Sequence, residues 1–238
     1  MRRFRDTDGE QVWFEEGEIE TLMEEELHKA YMMSSADLPV MGLDRFIEGH
    51  LKASLDPYVE MDARELGYTE FFEKEPPKIS INKTLTGSAL DEDETPPGRL
   101  GRYRATLAHE AAHVILHRRL FDALAGTMSL FGEEDARQRL GRVQKCFKRN
   151  VSFGWIGDRR EFQANQGMAA LLMPRPVFLE VAHREIDRIM PGRENVPAGE
   201  ERKVVEPLSR LFQVSKQAAK IRLETLGLVV APGQGHFG

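Results

Sequence analysis

Residues 109–113 read His-Glu-Ala-Ala-His, a run in which both residue types and spacing suit metal chemistry. On an α-helix, side chains four positions apart project from the same face, so the imidazoles of His109 and His113 can reach one ion. Neutral imidazole nitrogens are good ligands for Zn²⁺. The carboxylate of Glu110 can accept a proton from a water at the metal and deliver it to a leaving amine. The run therefore predicts a zinc site with Glu110 as its catalytic residue.

A third ligand has to come from elsewhere, because a catalytic zinc ordinarily takes three protein ligands and keeps one position for water. Glu161 begins a largely apolar or small stretch, residues 161–173, which predicts a buried helix. A buried carboxylate needs a cation or a hydrogen-bonding partner, and metal ligation would supply one. Asn165 lies one turn later on the same face and could hold a ligand from behind. An ordinary acid favoured by the helix dipole is the open alternative for Glu161.

His117 lies four residues beyond His113 and hence on nearly the same helix face. Ligands at positions 109, 113 and 117 of one straight helix would spread over about 12 Å, which is too far for one ion. We therefore predict that His117 packs near a ligand or hydrogen-bonds to it, and does not bind the metal itself.

The elements that must position these side chains are mostly helical. The His-Glu-Ala-Ala-His run lies in a helix predicted over about residues 100–120, where Ala111 and Ala112 would let a neighbouring helix come close. Further predicted elements are a strand over 78–82 and helices over about 17–34, 43–54, 132–150, 159–173, 177–189, 204–212 and 215–226.

The chain resembles the ImmA/IrrE-type metallo-endopeptidase family in its most informative runs, which are HEAAH at 109–113, EFQAN at 161–165 and LLMP at 171–174. Weaker similarity extends the resemblance over about residues 40–230. The resemblance implies a zincin-like domain in which His109, His113 and Glu161 bind zinc and Glu110 acts catalytically. It also implies proteolysis of a helix-turn-helix repressor, which would release genes of a mobile element or a stress response.

Two features depart from the usual pattern of that family. The family more often has glycine directly before the second histidine, where this chain has Ala112. The interval from His113 to Glu161 is also longer than in the family, through an insertion at about residues 132–150. Neither change removes a ligand, but the insertion affects the expected shape of the cleft and the choice of substrate.

The expected fold class is α+β and mainly helical: a zincin-like metallopeptidase domain with a small sheet, plus a helical, helix-turn-helix-like C-terminal region. Residues 1–36 are predicted to be an acidic N-terminal helical extension, and 37–190 the metallopeptidase domain. Residues 191–202 are rich in proline, glycine and charge and are predicted to be a linker, followed by the C-terminal region over 203–238.

Composition narrows the class of protein. The 238 residues are 41% hydrophobic and 30% charged, which suffices for a core and excludes wholesale disorder. A net charge of -6 argues against bulk electrostatic binding of nucleic acid by the whole chain. The single cysteine suits a reducing cytosol, and no apolar run approaches the ~20 residues of a membrane span. We expect a cytoplasmic protein without membrane contact.

Two other functions stay open at this point. A zinc-containing protein could bind a repressor without cutting it. Alternatively, the C-terminal helices could bind DNA, with Lys216, Lys220 and Arg222 near phosphates, although the apolar residues between them also suit simple packing.

The strand predicted over Ile79–Asn82 could form the sheet edge that borders the site. An open edge can hold an extended substrate by adding it as a further strand. A purely structural role for this strand is equally consistent with its sequence.

Overall fold

The computed structural model describes residues 2–6, 9–15, 17–72, 75–90, 97–128, 143–147 and 159–230. The strands in these ranges are β1 (Arg2–Asp6), β2 (Gly9–Trp13), β3 (Ser54–Val59), β4 (Glu65–Glu70), β5 (Lys78–Asn82), β6 (Val143–Phe147), β7 (Val196–Pro197) and β8 (Val229–Val230). The helices are α1 (Glu18–Lys29), α2 (Leu43–Arg45, continued as a π-helix over Phe46–His50), α3 (Lys83–Leu90), α4 (Pro97–Met128), α5 (Arg159–Leu172), α6 (Arg175–Ile189), α7 (Arg202–Leu211) and α8 (Lys216–Thr225).

A four-stranded sheet has the order β3-β5-β4-β6. β3 runs parallel to β5, whereas β4 runs antiparallel to both of its neighbours. The first two strands form an antiparallel hairpin, and β7 and β8 form a short parallel pair. This mainly helical protein with a small sheet is compatible with the expected α+β class.

Helix α4 contacts the sheet through β4 and β5 and makes its most extensive helix contact with α5. Its central part is buried on nearly every side, as Leu107, Ala108, Ala111 and Ala112 are each at most 3% exposed. A helix that is apolar all round belongs inside a protein. Helix α1 covers α5 and buries Ile19, Met23 and Leu27.

The contact between α4 and α5 depends on small residues on both helices. A Cβ atom added to Gly167 would lie 2.8 Å from the Cβ of Ala112 and 3.3 Å from the Cε of Met23. Ala112 on α4 therefore faces a glycine, Gly167, on α5. The close helix approach expected from Ala111 and Ala112 is confirmed at Ala112.

We expect Gly167→Ala to lower the free energy of unfolding by about 1–3 kcal/mol, because its methyl group would overlap a side chain fixed to the α4 backbone. Urea denaturation measures the effect. Gly87→Ala in α3 is the matched control, since a Cβ there meets nothing within 4 Å. This control should be neutral or gain up to about 1 kcal/mol from helix propensity. Equal changes in both variants would contradict the proposed overlap.

Two expectations about the sheet are not met. The predicted strand forms β5, but β5 lies between β3 and β4, so Ile79 to Asn82 are not a sheet edge and the structural alternative for this strand holds. A helix predicted over 132–150 is wrong for residues 143–147, which form β6 against β4; the rest of that range lies outside the described residues. Residues 143–147 are extended because their backbone hydrogen-bonds to β4. This pairing depends on a distant segment and cannot be inferred from the sequence of β6 alone.

Two helices end earlier than their sequence patterns predict. The segment predicted as a helix over 43–54 ends at His50, and Ser54 already begins β3, which continues through Asp56 and Pro57. The helix predicted over 17–34 ends at Lys29. Helix α4 instead runs on to Met128, beyond the end predicted at about residue 120, and α3 was not predicted. The boundaries of α5 to α8 agree with the predictions within two residues.

The C-terminal helices pack onto the rest of the protein. Arg222 is 5% exposed, and its guanidinium donates to the carbonyl of Met173 and pairs with Glu20. Of the two alternatives left open for Arg222, the structure therefore shows packing and not exposure to phosphates, because its charge is already used inside the protein. Lys216 and Lys220 lie beside Glu206 and Glu224, respectively.

Within the residues described, no helix combines the length and apolar composition that crossing a bilayer requires. The predicted linker over 191–202 includes β7, whose Val196 is fully buried. The domain boundaries given above stay predictions.

Candidate metal centre

Helices α4 and α5 bring three predicted ligands to one point. The Nε2 atom of His109 lies 3.2 Å from Oε2 of Glu161, and Nε2 of His113 lies 3.3 Å from its Oε1. The two Nε2 atoms are 3.1 Å apart. Ligands around a tetrahedral zinc at about 2.0–2.1 Å are themselves separated by about 3.3 Å, which these distances match. The three side chains could therefore hold one metal ion.

The hydrogen bonds behind the two histidines determine which ring nitrogens carry protons. Nδ1 of His109 lies 3.0 Å from Oδ1 of Asn165, an acceptor, so Nδ1 donates and Nε2 keeps its lone pair. Nε2 of His117 lies 3.2 Å from Oε1 of Gln163 and donates to it. The Nδ1 atom of His117 then accepts from Nδ1 of His113, 2.9 Å away.

In this arrangement the Nε2 lone pairs of both His109 and His113 point at each other and at a carboxylate. Three acceptors converge in a volume where His109 and His113 are fully buried and Glu161 is 2% exposed. Such a cluster is repulsive unless a cation lies between its members. The donor set therefore fits a metal ion such as zinc.

The pKa values of the metal-free site agree with this demand for positive charge. Burial lowers the pKa of His109, but the bond to Glu161 and the charges of Glu110 and Glu161 outweigh burial and raise it above its ordinary value. For His113, burial lowers the pKa by more than the hydrogen bond to Glu161 raises it, so this pKa stays below its ordinary value. Burial would raise the pKa of Glu161, yet its bonds to the two histidines hold that pKa well below its usual range. The raised pKa of His109 and the lowered pKa of Glu161 both show that the site favours positive charge beside this carboxylate.

Asn165 and His117 thus lie where the sequence places them, behind the two histidines and not among the converging atoms. Contacts of this kind fix ring orientation and tautomer in metal sites. The structure brings together all the predicted site residues, and their metal-binding and catalytic roles stay predictions.

Burial and the neighbouring His113 lower the pKa of His117 to about 3. Between about pH 6.5 and pH 3, His117 is therefore protonated in the unfolded chain but neutral in the folded chain. As the pH falls through this range, the free energy of unfolding of the metal-free protein decreases. We expect His117→Gln to reduce the slope of unfolding free energy against pH by about 1.4 kcal/mol per unit between pH 6 and 4. Chemical denaturation of metal-free protein at several pH values measures this slope. Gln166→Ala, at an exposed position without a titratable group, should leave the slope unchanged. An unaltered slope in His117→Gln would contradict the assignment.

Glu110 lies on α4 beside the first histidine and is fully buried. The hydroxyl of Thr69 in β4 donates to its Oε2 atom at 2.5 Å. This bond holds the carboxylate of Glu110 against strand β4 of the sheet. A fixed carboxylate at this place can accept or deliver a proton with little rearrangement.

The sequence analysis missed two residues of the site, Thr69 and Gln163. Gln163 lies inside the EFQAN run, so its contact with His117 could have been inferred from the spacing along α5. Thr69 carries no such signal, because it lies 41 positions before Glu110 in a strand that was not predicted.

The family model described as Peptidase_M78, the IrrE N-terminal-like domain, matches residues 156–224. This range contains Glu161, Asn165, helices α5 to α7 and all but the last residue of α8, and it leaves out the HEAAH run. Searches of curated proteins and of solved structures gave no match. The matched family suggests a function of the metallopeptidase type. Together with the HEAAH run, the match supports assignment of this chain to the ImmA/IrrE-type family.

Proposed function

We propose that this chain is a zinc-dependent endopeptidase. The observation that carries the proposal is the buried convergence of His109, His113 and Glu161. Glu110, buried directly after His109 in the chain, is close enough for its charge to raise the pKa of that histidine. A purely structural cluster would not need a further carboxylate in that position. The Peptidase_M78 match, which includes Glu161 but not the HEAAH run, supports the same reaction class.

In this proposal, His109, His113 and Glu161 hold the zinc ion, which when bound supplies Lewis acidity toward the peptide carbonyl and makes a coordinated water more acidic. Glu110 takes the proton of the attacking water and gives it to the leaving amine. Thr69 keeps Glu110 oriented for both transfers. Asn165 and His117 hold the ligand rings in the tautomer that leaves Nε2 free for the metal.

The substrate that we propose is a helix-turn-helix transcriptional repressor, whose cleavage would switch on mobile-element or stress-response genes. The proposal follows from the resemblance to the ImmA/IrrE family in the HEAAH, EFQAN and LLMP runs. A repressor encoded beside the gene for this chain is the first substrate to test.

The test incubates zinc-loaded protein with that repressor and identifies new termini by mass spectrometry. We expect one or a few cuts that depend on zinc and stop when a chelator removes it. Metal analysis of the purified protein should give about one zinc per chain. Absence of cleavage by fully loaded protein, with both the repressor and an unfolded protein as substrates, would contradict the proposal.

A second candidate function is favoured by the burial of the site. His109, Glu110 and His113 are 0% exposed and Glu161 is 2% exposed, so a peptide cannot reach them without movement of the fold. A zinc-containing regulator that binds a repressor without cutting it would need no such movement. The two candidates predict different outcomes for the Glu110 variant considered in the Discussion.

A further inference from the structure

Strand β4 contacts Glu110 directly, because the Thr69 hydroxyl donates to the Glu110 carboxylate. Extended peptides often bind proteins by adding a strand to a sheet edge, where main-chain hydrogen bonds supply affinity. One side of β4 is taken by β5, which belongs to the buried core through Ile79 and Ile81. Only the other side of β4 could receive an extended segment beside the site.

That side of β4 is taken by β6 of the same chain. The two strands are antiparallel over Glu65–Glu70, with Thr69 opposite Gln144 and Tyr68 opposite Lys145. The backbone of β6 therefore passes the residue that holds Glu110. It uses the hydrogen-bonding groups of β4 that a bound peptide would need.

The contacts of strand β6 within the described part of the chain are mainly those with β4. The strand lies in the interval between the HEAAH run and Glu161, within the predicted insertion at about 132–150. The other three strands form a sheet without it, since β5 joins β3 to β4.

We propose that the β6-facing side of β4 is the docking edge for an extended segment of a protein substrate, and that β6 occupies this edge in its place. Cleavage then requires that β6 leave β4, which also explains why Glu110 and the three proposed ligands are at most 2% exposed here. The incoming segment pairs antiparallel to β4, as β6 does. This inference rests on the proposed peptidase function for its catalytic consequence, but not for the binding itself.

The test locks β6 to β4 with a reversible disulfide. Tyr68→Cys and Lys145→Cys place two thiols directly opposite each other, and Cys146→Ser removes the natural thiol. Opposed Cβ atoms of antiparallel strands are about 4.5–5.5 Å apart, which is within reach of a disulfide after a small adjustment. Mass spectrometry verifies the bond.

The probe is fluorescein-labelled casein, an unfolded polypeptide. Its binding is measured by fluorescence anisotropy on zinc-loaded protein that also carries Glu110→Gln.

We expect the oxidised protein to bind casein at least about tenfold more weakly than the reduced protein, because the docking edge stays occupied. Cys146→Ser alone is the control and should bind equally under both conditions. The same lock in the protein with Glu110 intact should slow casein cleavage by a similar factor, at unchanged zinc content. Equal binding by oxidised and reduced protein, or no binding in either state, would overturn the docking proposal. Redox-dependent binding without any cleavage would leave docking supported and would count against the peptidase function alone.

A pair of proline variants tests the same idea without cysteines. In an antiparallel ladder, the N–H groups of neighbouring residues point to opposite sides, so of Gln144 and Lys145 one donates toward β4 and the other away from it. Gln144→Pro and Lys145→Pro therefore serve as controls for each other. One of them should strengthen casein binding about tenfold by loosening β6, while the other should change it less. Weaker binding or no change in both would overturn the proposal.

Discussion

Replacement of Glu110 by Gln is expected to slow peptide hydrolysis by about 100- to 10,000-fold, the range associated with loss of a general acid–base group. The amide is nearly the same size as the carboxylate but cannot take a proton from water at neutral pH. Its carbonyl oxygen can still accept from Thr69, so the local fold should persist. Rates are measured on the identified substrate with zinc-loaded protein, and zinc content is measured on the same samples.

The control for this variant is Glu180→Gln, at an exposed glutamate of α6, which should keep the wild-type rate. Zinc content should equal that of the wild type in both variants, because neither change touches a proposed ligand. A Glu110→Gln protein that retains full biological function would favour the regulator that binds a repressor without cutting it. Loss of zinc together with activity would instead place Glu110 among the ligands.

Replacement of Glu161 by Ala is expected to weaken zinc binding by about 100- to 1,000-fold. Zinc affinities of about 10–16 kcal/mol for four-ligand sites correspond to about 3–4 kcal/mol for each ligand. The variant removes the negative charge that faces both buried Nε2 atoms. Competition with a fluorescent chelator measures the affinity, and circular dichroism of the metal-free protein verifies the fold.

A graded series makes the metal prediction sharper. Asn165→Ala removes the hydrogen bond to Nδ1 of His109 but no converging atom, and should cost only about 10- to 100-fold in zinc affinity. Gln166→Ala, at the exposed position next to it on α5, should cost nothing. An Asn165→Ala variant as weak as Glu161→Ala, or a Glu161→Ala variant with wild-type affinity, would contradict the assignment of ligands.

Much of the candidate site could be predicted from the sequence because its key relations are local. The spacing of His109 and His113 places both rings on one helix face whatever the rest of the chain does. The spacing of Glu161 and Asn165 does the same on α5. Small residues around Ala112 indicated close helix packing, and only the structure identifies Gly167 as the partner.

Other relations are decided by contacts between distant segments. Glu161 meets His109 across 52 positions, and Thr69 meets Glu110 across 41. Residues 143–147 form a strand and not the predicted helix, because the side of β4 offers unpaired backbone groups there. Arg222 is drawn into the protein by Glu20 and by the carbonyl of Met173, groups that no local pattern connects with it.

By itself, then, the sequence determined which side chains of this protein can bind a metal and on which helix face each of them lies, because helical periodicity is a property of neighbouring residues. Only the tertiary structure decided that two helices bring these side chains to one point, that a threonine holds the remaining carboxylate, and that β6 lies along the edge of β4 beside them. These outcomes depend on packing and backbone pairing between segments far apart in the chain, which compete with local preference and here override it.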